Sequence, residues 1–326
     1  MVARVGPGVV TIRTEQRVRP SQQYPFSENP LHDFLGGAFG EAPAPGQRKL
    51  MALGSGTIVH PDGTILTSHH VIDGAEQIQV ELTNHRVFKA KVIGSDPPSD
   101  LAVLKIDAKG LDALPLGDSD RVRVGDVALA IGNPLGIGQT VTSGIISAKG
   151  RATGLSDGSF EDFLQTDAPI NEGNSGGALI NTRGELIGIS SQILSTSGGN
   201  IGIGFAIPSN MARNVLDQIL KSGKVHRGQL GVSIQPMTPE LATRFGLSEP
   251  QGVLVNSVLP NGPAANAGIR QGDVIVDFNG AAVTEGNTLK NQVASSAPGS
   301  KINLGIFRDR HRQEFQVTLG EYRPKA

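Results

Sequence analysis

Short apolar runs rich in Val, Ile and Leu, broken by glycine, proline and aspartate, recur through the first two thirds of this chain. Runs of this length and composition predict strands, here at 9–12, 56–59, 65–67, 78–82, 87–93, 101–106, 127–131, 141–147, 163–166, 178–180, 186–190 and 203–207. Turn signals such as Pro61-Asp62-Gly63 and Arg183-Gly184 separate several of them. Many short strands without helices between them predict a sandwich or barrel. The period then changes. Met211, Val215, Leu216, Ile219 and Leu220 fall on one helical face, with Ser209 as the expected N-cap and Gly223 as the stop. This helix is expected to close a first domain, with a linker near 222–227. The remaining residues predict a short helix at Thr238-Pro239-Glu240, another through Leu289 and Val293, and strands at 253–258, 274–278, 302–307 and 315–319. Two domains are expected, residues 1–224 and a small α+β unit at 228–322. Residues 13–48, rich in Pro, Gly and Gln, are too long and polar for core and are expected to be an insertion.

Composition narrows the function. The 326 residues include 43 Gly and 20 Pro, which suits many strands joined by turns. Lys and Arg number 29 against 30 Asp and Glu, without the basic clustering that nucleic-acid binding needs. No apolar run approaches the ~18 residues of a membrane span. The stretch Met1–Pro7 has no apolar core of a signal peptide, so either the protein is cytosolic or its export segment lies outside this sequence. There is no cysteine, which excludes disulfides, thiol catalysis and cysteine-ligated zinc. No phosphate-loop motif is present, and nothing calls for a metal or cofactor.

The chemistry centres on Gly173-Asn174-Ser175-Gly176-Gly177. A serine hydroxyl in a glycine cradle suits acyl transfer, which needs an exposed nucleophile and backbone N–H groups aimed at a developing oxyanion. A serine that merely happens to lie in a glycine-rich turn is the plainer reading. A nucleophile needs a base, and the base an orienter. His69 and His70 follow the strand at 65–67. The frame Thr67-Ser68-His69-His70-Val71 resembles that of chymotrypsin-like proteases and selects His70 as base. Asp100, heading the apolar strand at 101–106, is the expected orienter. Asp96, beside Pro97-Pro98, is its competitor but reads as loop. The order His70, Asp100, Ser175 is the chymotrypsin order. The pentapeptide also matches the G-x-S-x-G elbow of esterases, but an elbow needs a following helix and then an acid and a histidine. Here strands follow, and only His226 and His311 come later. The oxyanion hole is expected from the N–H groups of Gly173 and Ser175, with Asn174 shaping the loop. Asn174 has no charge to pair with a newly cut N-terminus.

From about Met51 to Leu319 the chain resembles the HtrA/Deg family of ATP-independent serine proteases. The carrying motifs include Leu53-Gly54-Ser55-Gly56, Ser99-Asp100-Leu101-Ala102, Gln165-Thr166-Asp167-Ala168 and Gly202-Ile203-Gly204-Phe205. The resemblance implies a mainly β fold: a chymotrypsin-like double β-barrel protease domain, then a small α+β PDZ domain. Gln229-Leu230-Gly231-Val232 resembles the loop that captures a peptide carboxylate, and Leu230, Gly231, Val232 and Ile234 are the implied peptide-binding residues. The family also implies an endopeptidase for unfolded or misfolded proteins and PDZ binding of hydrophobic C-termini that regulates or tethers. A homotrimer, with larger cages possible, and a periplasmic or cell-envelope location come with it. Arg151 matches a sensor arginine. Ile189, Ser190, Ser191 and Leu194 fall near the implied substrate pocket, which would take small aliphatic residues. Tyr24, Phe26, Phe34 and Phe39 fall in an implied regulatory loop. Glu172, where many members have proline, and His69, where asparagine is common, depart from the pattern. The alternative is a chaperone or scaffold with little resting proteolysis.

Overall fold

A computed structural model describes residues 1–17, 49–133, 138–154, 160–193 and 199–323. Six antiparallel strands close the first barrel in the order β1 (Val9–Arg17), β2 (Lys49–His60), β3 (Thr64–Ser68), β6 (Leu101–Ile106), β5 (Val87–Asp96) and β4 (Gln77–Glu81). The second closes as β10 (Ala178–Asn181), β11 (Leu186–Ile193), β12 (Gly204–Pro208), β9 (Phe163–Thr166), β8 (Thr140–Arg151) and β7 (Val127–Gly132). Closure leaves no edge strand open to another chain. Each barrel has an apolar interior, around Ile12, Ile65 and Leu104 in the first and Ile146, Leu164 and Leu179 in the second. A third cluster, with Leu66, Leu101, Ile189 and Ile207, joins the barrels to each other. The residues flanking this seam are those that sequence analysis selects for chemistry.

One boundary differs from expectation. Residues 13–17 continue β1, paired in register with Lys49 to Leu53 of β2, instead of starting the insertion. The aromatic residues expected in that insertion (Tyr24, Phe26, Phe34, Phe39) lie outside the described residues. Of the short helices, α1 (Val2–Val5) opens the chain and α2 (His69–Ile72) follows β3. The long helix α3 (Ser209–Ser222) starts as expected, but Ser209 does not cap it. Its hydroxyl is buried and donates to the Gly117 carbonyl at 2.9 Å. Val215, Leu216 and Ile219 pack into the seam cluster, whereas Leu220 is exposed. Each fully buried aliphatic side chain contributes about 1.5–3 kcal/mol, so three suffice to seat the helix. Gly223, at φ +75°, ends it in a left-handed cap.

The C-terminal unit is a five-stranded sheet ordered β14 (Val232–Pro236), β15 (Val253–Val258), β16 (Val274–Phe278), β18 (Lys301–Arg308) and β19 (His311–Thr318), with β17 (Ala281–Ala282) attached to β16. Helices α4 (Pro239–Phe245), α5 (Pro263–Asn266) and α6 (Gly286–Ser295) complete it. Thr238 caps α4 by accepting from the Leu241 N–H, as its position before Pro239 suggests. A short pair, β13 (Gly228–Gln229) with β20 (Gly320–Glu321), ties the start of the unit to its end.

The two halves meet at a buried ion pair. Asp96 is the last residue of β5, not a loop residue, and accepts two bonds from the Arg227 guanidinium at 2.6 and 2.5 Å. Ser99 also donates to it. The Arg227 guanidinium lies 4.7 Å from the Phe160 ring centroid, and Tyr322 meets that ring edge-on at 5.2 Å.

Asp162 next to β9 is a local conflict. Burial, and then the charge of Asp120, push its carboxyl up to about 6, with Lys149 opposing. A carboxyl raised above its unfolded value of about 3.9 binds its proton more tightly when folded, so stability falls as pH rises from about 4 to 6. The shift corresponds to about 3 kcal/mol, and partial solvent access reduces the expected penalty to about 1–2 kcal/mol. Asp162→Asn is therefore expected to raise the unfolding temperature at pH 7.5 and to leave it unchanged below about pH 4, measured by calorimetry across that range.

Candidate active site

The serine loop is held by β2 of the other barrel. Ser55, fully buried, donates its hydroxyl to the Gly173 carbonyl at 2.6 Å and accepts the Asn133 N–H at 2.9 Å. The Ser55 N–H donates to the Ser175 carbonyl at 2.8 Å. The glycines are required by this closeness. A Cβ on Gly176 would stand 2.1 Å from the Ser55 carbonyl oxygen, and its φ is +83°. Sequence comparison marks Ser55 only as part of a motif. Its two hydrogen bonds to the other barrel appear only once the two are packed. Ser55→Ala leaves a buried carbonyl and N–H unpaired and is expected to cost about 1–3 kcal/mol of stability in denaturant titration.

Residues 171–174 form a β-turn, with the Asn174 N–H donating to the Asn171 carbonyl at 3.0 Å. Gly173, in third position, has φ +90°, the value of a type II turn. Types I and II differ by a half-turn of the central peptide, whose N–H belongs to Gly173. Among the described residues, neither the Gly173 nor the Ser175 N–H donates to a protein acceptor. Asn200 braces the turn: its N–H donates to Asn171 Oδ1 at 3.1 Å and its amide to the Ile170 carbonyl at 3.0 Å. Asn174 is buried with its Oδ1 unpartnered, against Gly132. Glu172 is exposed.

His70 is the second residue of α2, which begins directly after β3. Asp100 sits at the junction before β6 with φ +53°, a left-handed conformation uncommon outside glycine and often found at functional sites. Its Oδ1 accepts the His70 backbone N–H at 3.0 Å, and its two oxygens lie 2.9 and 2.8 Å from His70 Nδ1. Burial opposes the charge of Asp100. The bonds and charge of His70, with the Ser191 hydroxyl, outweigh it and hold the carboxyl below its ordinary value. An ionised Asp100 only accepts, so a proton lies on Nδ1, and in the neutral imidazole Nε2 is the acceptor. His69 points elsewhere: its Nε2 is 3.8 Å from Asp73 and its Nδ1 is buried without a partner.

Ser191 joins these parts. The register of β11 on β12 shifts between Ser190 and Gln192, so Ser191 is the extra residue of a bulge. Bulges re-aim side chains. Here the Ser191 hydroxyl donates to Asp100 at 2.8 Å, while its carbonyl accepts the Ser175 hydroxyl at 2.9 Å. Among the described residues, no hydrogen bond joins Ser175 to His70. Of the residues expected at the substrate pocket, Ile189 lies in the seam core and Ser190 is buried, its carbonyl accepting the Gly176 N–H at 2.7 Å. Leu194 lies outside the described residues. Arg151 is exposed and donates to Gln165 Oε1 at 3.1 Å.

The C-terminal unit carries a second concave site. β14 is an edge strand, and between it and α6 lies a cavity of about 470 Å³ lined by Leu230, Gly231, Val232, Ile234, Leu289 and Val293. Gly231 has φ +78°, the left-handed conformation that a tight anion-binding turn uses. Phe160, Lys290 and Tyr322 also face this cavity, and sequence analysis did not select them. Phe160 comes from the protease half, so no pattern within the C-terminal unit points to it.

Residues 54–189 match the trypsin-like peptidase domain family, and residues 228–319 match the PDZ domain family. The periplasmic serine endoprotease DegP of Escherichia coli K12 is 46% identical over 331 residues, which cover 95% of this chain and 69% of that protein. The periplasmic pH-dependent serine endoprotease DegQ of the same organism is 44% identical over 321 residues, covering 98% and 69%. The solved structure of the HtrA-type protease AlgW with a tripeptide is 43% identical and superposes with a TM-score of 0.81, over 99% of this chain and 97% of that one. Two closed barrels followed by one PDZ domain, with this degree of identity along nearly the whole chain, place the protein in the HtrA/DegP family of serine endoproteases.

Proposed function

We propose that this endoprotease degrades unfolded or misfolded proteins in the periplasm without ATP, and that hydrophobic C-termini bound in the PDZ groove regulate or tether it. The observation that carries the chemistry is Asp100 at 2.9 and 2.8 Å from His70 Nδ1, an arrangement that leaves Nε2 of the neutral imidazole to accept a proton. Ser175 passes its proton to His70 Nε2 as Oγ attacks the scissile carbonyl. The Gly173 and Ser175 N–H groups take the oxyanion, and His70 returns the proton to the leaving amine. Water then repeats the sequence on the acyl-enzyme, with His70 as base. For the groove, the support is an open edge strand beside a glycine turn and an apolar cavity, the arrangement that adds a peptide as a further strand. Trimeric assembly rests on the family resemblance, and sedimentation of the full chain tests it.

One observation favours a mainly resting enzyme that holds clients. The Ser175 hydroxyl is engaged by Ser191 and must rotate before His70 can accept its proton. Casein in ATP-free buffer distinguishes the readings. Fragments appearing together with fluorophosphonate labelling of Ser175 support the protease. Intact casein, protected from aggregation, supports the holding protein. An unchanged rate on adding a peptide with a hydrophobic C-terminus counts against regulation through the groove.

A further inference from the structure

Glu161 is a buried carboxylate that the chemistry above does not use. It lies just before β9, and two separate sets of contacts meet on it. Its Oε2 accepts the Thr153 N–H at 2.5 Å and the Gly154 N–H at 3.1 Å, and both carboxylate oxygens lie 3.1 Å from the Thr153 hydroxyl. Its backbone carbonyl accepts the side-chain amides of Asn287 at 2.7 Å and Asn291 at 2.6 Å. Those two asparagines are four residues apart on one face of α6, the helix that walls the PDZ groove.

The contacts continue towards the serine. The Gln192 amide donates to the Thr153 hydroxyl oxygen at 3.1 Å. Gln192 ends the bulge whose extra residue, Ser191, holds both Asp100 and the Ser175 hydroxyl. The carboxylate sets the direction of this chain. An ionised carboxylate only accepts, so the Thr153 hydroxyl donates to it and leaves its lone pair for Gln192. We propose that Glu161 is a positioning residue: through Thr153 and Gln192 it fixes the Ser191 bulge beside Ser175 and Asp100, and through its carbonyl it ties that bulge to the PDZ groove helix. The proposal rests on the reading of Ser175, His70 and Asp100 given above.

Glu161→Gln keeps the shape but replaces one acceptor oxygen by an NH2 donor, which faces either the Thr153 hydroxyl alone or that hydroxyl and the two backbone N–H groups, depending on how the amide turns. The full chain, assayed on a chromogenic peptide, is expected to lose about tenfold in kcat with little change in KM, the size of one lost charge-assisted hydrogen bond. Gln192→Ala is expected to lose a similar factor. The double variant should be no worse than either single one, because both act through the same chain of contacts. Removing both amides (Asn287→Ala with Asn291→Ala) should lower kcat in the wild-type background and add nothing to Glu161→Gln. An unchanged kcat in Glu161→Gln or in Gln192→Ala, or losses that multiply, would overturn the proposal. An unchanged kcat in the asparagine pair would overturn the tie to the groove. If Glu161→Gln does not fold, Gln192→Ala and the asparagine pair carry the test from the two ends. Fluorophosphonate labelling separates the two levels. A wild type that is not labelled at Ser175 refutes the catalytic reading. A wild type and a Glu161→Gln variant labelled at equal rates refute only the positioning role.

Discussion

Ser175→Ala is expected to lower kcat on a peptide substrate by about a millionfold, while peptide affinity at the PDZ groove stays unchanged. The substitution removes the proposed nucleophile and leaves the surroundings in place. The loop is held by the Ser55 bonds to Gly173 and Ser175, all of which run through backbone atoms of the loop. The Gly173 and Ser175 N–H groups would remain, and such a hole with substrate binding retains about 10³–10⁴-fold over water. Adding His70→Ala to Ser175→Ala should lower the rate little further, because the two act as a unit. Steady-state kinetics and isothermal titration with a tail peptide measure the two quantities. A loss of only tenfold would place the nucleophile elsewhere.

The second large effect concerns the contact between the two halves. Asp96→Ala strands the Arg227 guanidinium, which is buried under the Phe160 ring. An uncompensated buried charge costs about 3–5 kcal/mol. The cost falls on the docking of the C-terminal unit against the protease barrels, because Arg227 sits at the start of that unit and Asp96 at the end of β5. Faster amide exchange at 222–227 and faster cleavage there by an added protease are the expected readouts, with both cores still protected. Removing the charge from both sides, as in Asp96→Ala with Arg227→Met, should recover much of the loss, since no ion is then left unpaired. Equal exchange in Asp96→Ala and wild type would show that the ion pair does not hold the halves together.

Much of the architecture is legible in the residue pattern because strands and helices obey local periods. The runs at 101–106 and 253–258 coincide with β6 and β15 to the residue. Elsewhere strands outrun their apolar runs. β8 continues to Arg151 and β1 to Arg17, since backbone pairing with a neighbour can extend a strand through polar residues. The same limit explains Leu220, which has the right helical spacing but faces water at the rim of the packed stripe. Ser209 reads as a cap by type and position, but a nearby loop supplies an acceptor at Gly117 and takes its hydroxyl.

The chain by itself determined two domains, a β-rich protease half, the loop around Ser175 and the order of His70, Asp100 and Ser175. These follow from local periods, from glycine where a side chain has no room, and from motifs of neighbouring residues. Only the tertiary structure decided that Asp96 serves the domain contact while Asp100 serves the imidazole. It also decided that Ser191 sits between Asp100 and Ser175, that Ser55 grips the serine loop from the other barrel, and that Phe160 faces the PDZ groove. The hydrogen bonds behind the first three join residues 16 to 131 apart in sequence, and Phe160 meets Tyr322 from 162 residues away. Hydrogen-bond direction and burial at such separations are set by packing, and no local pattern of side chains encodes them.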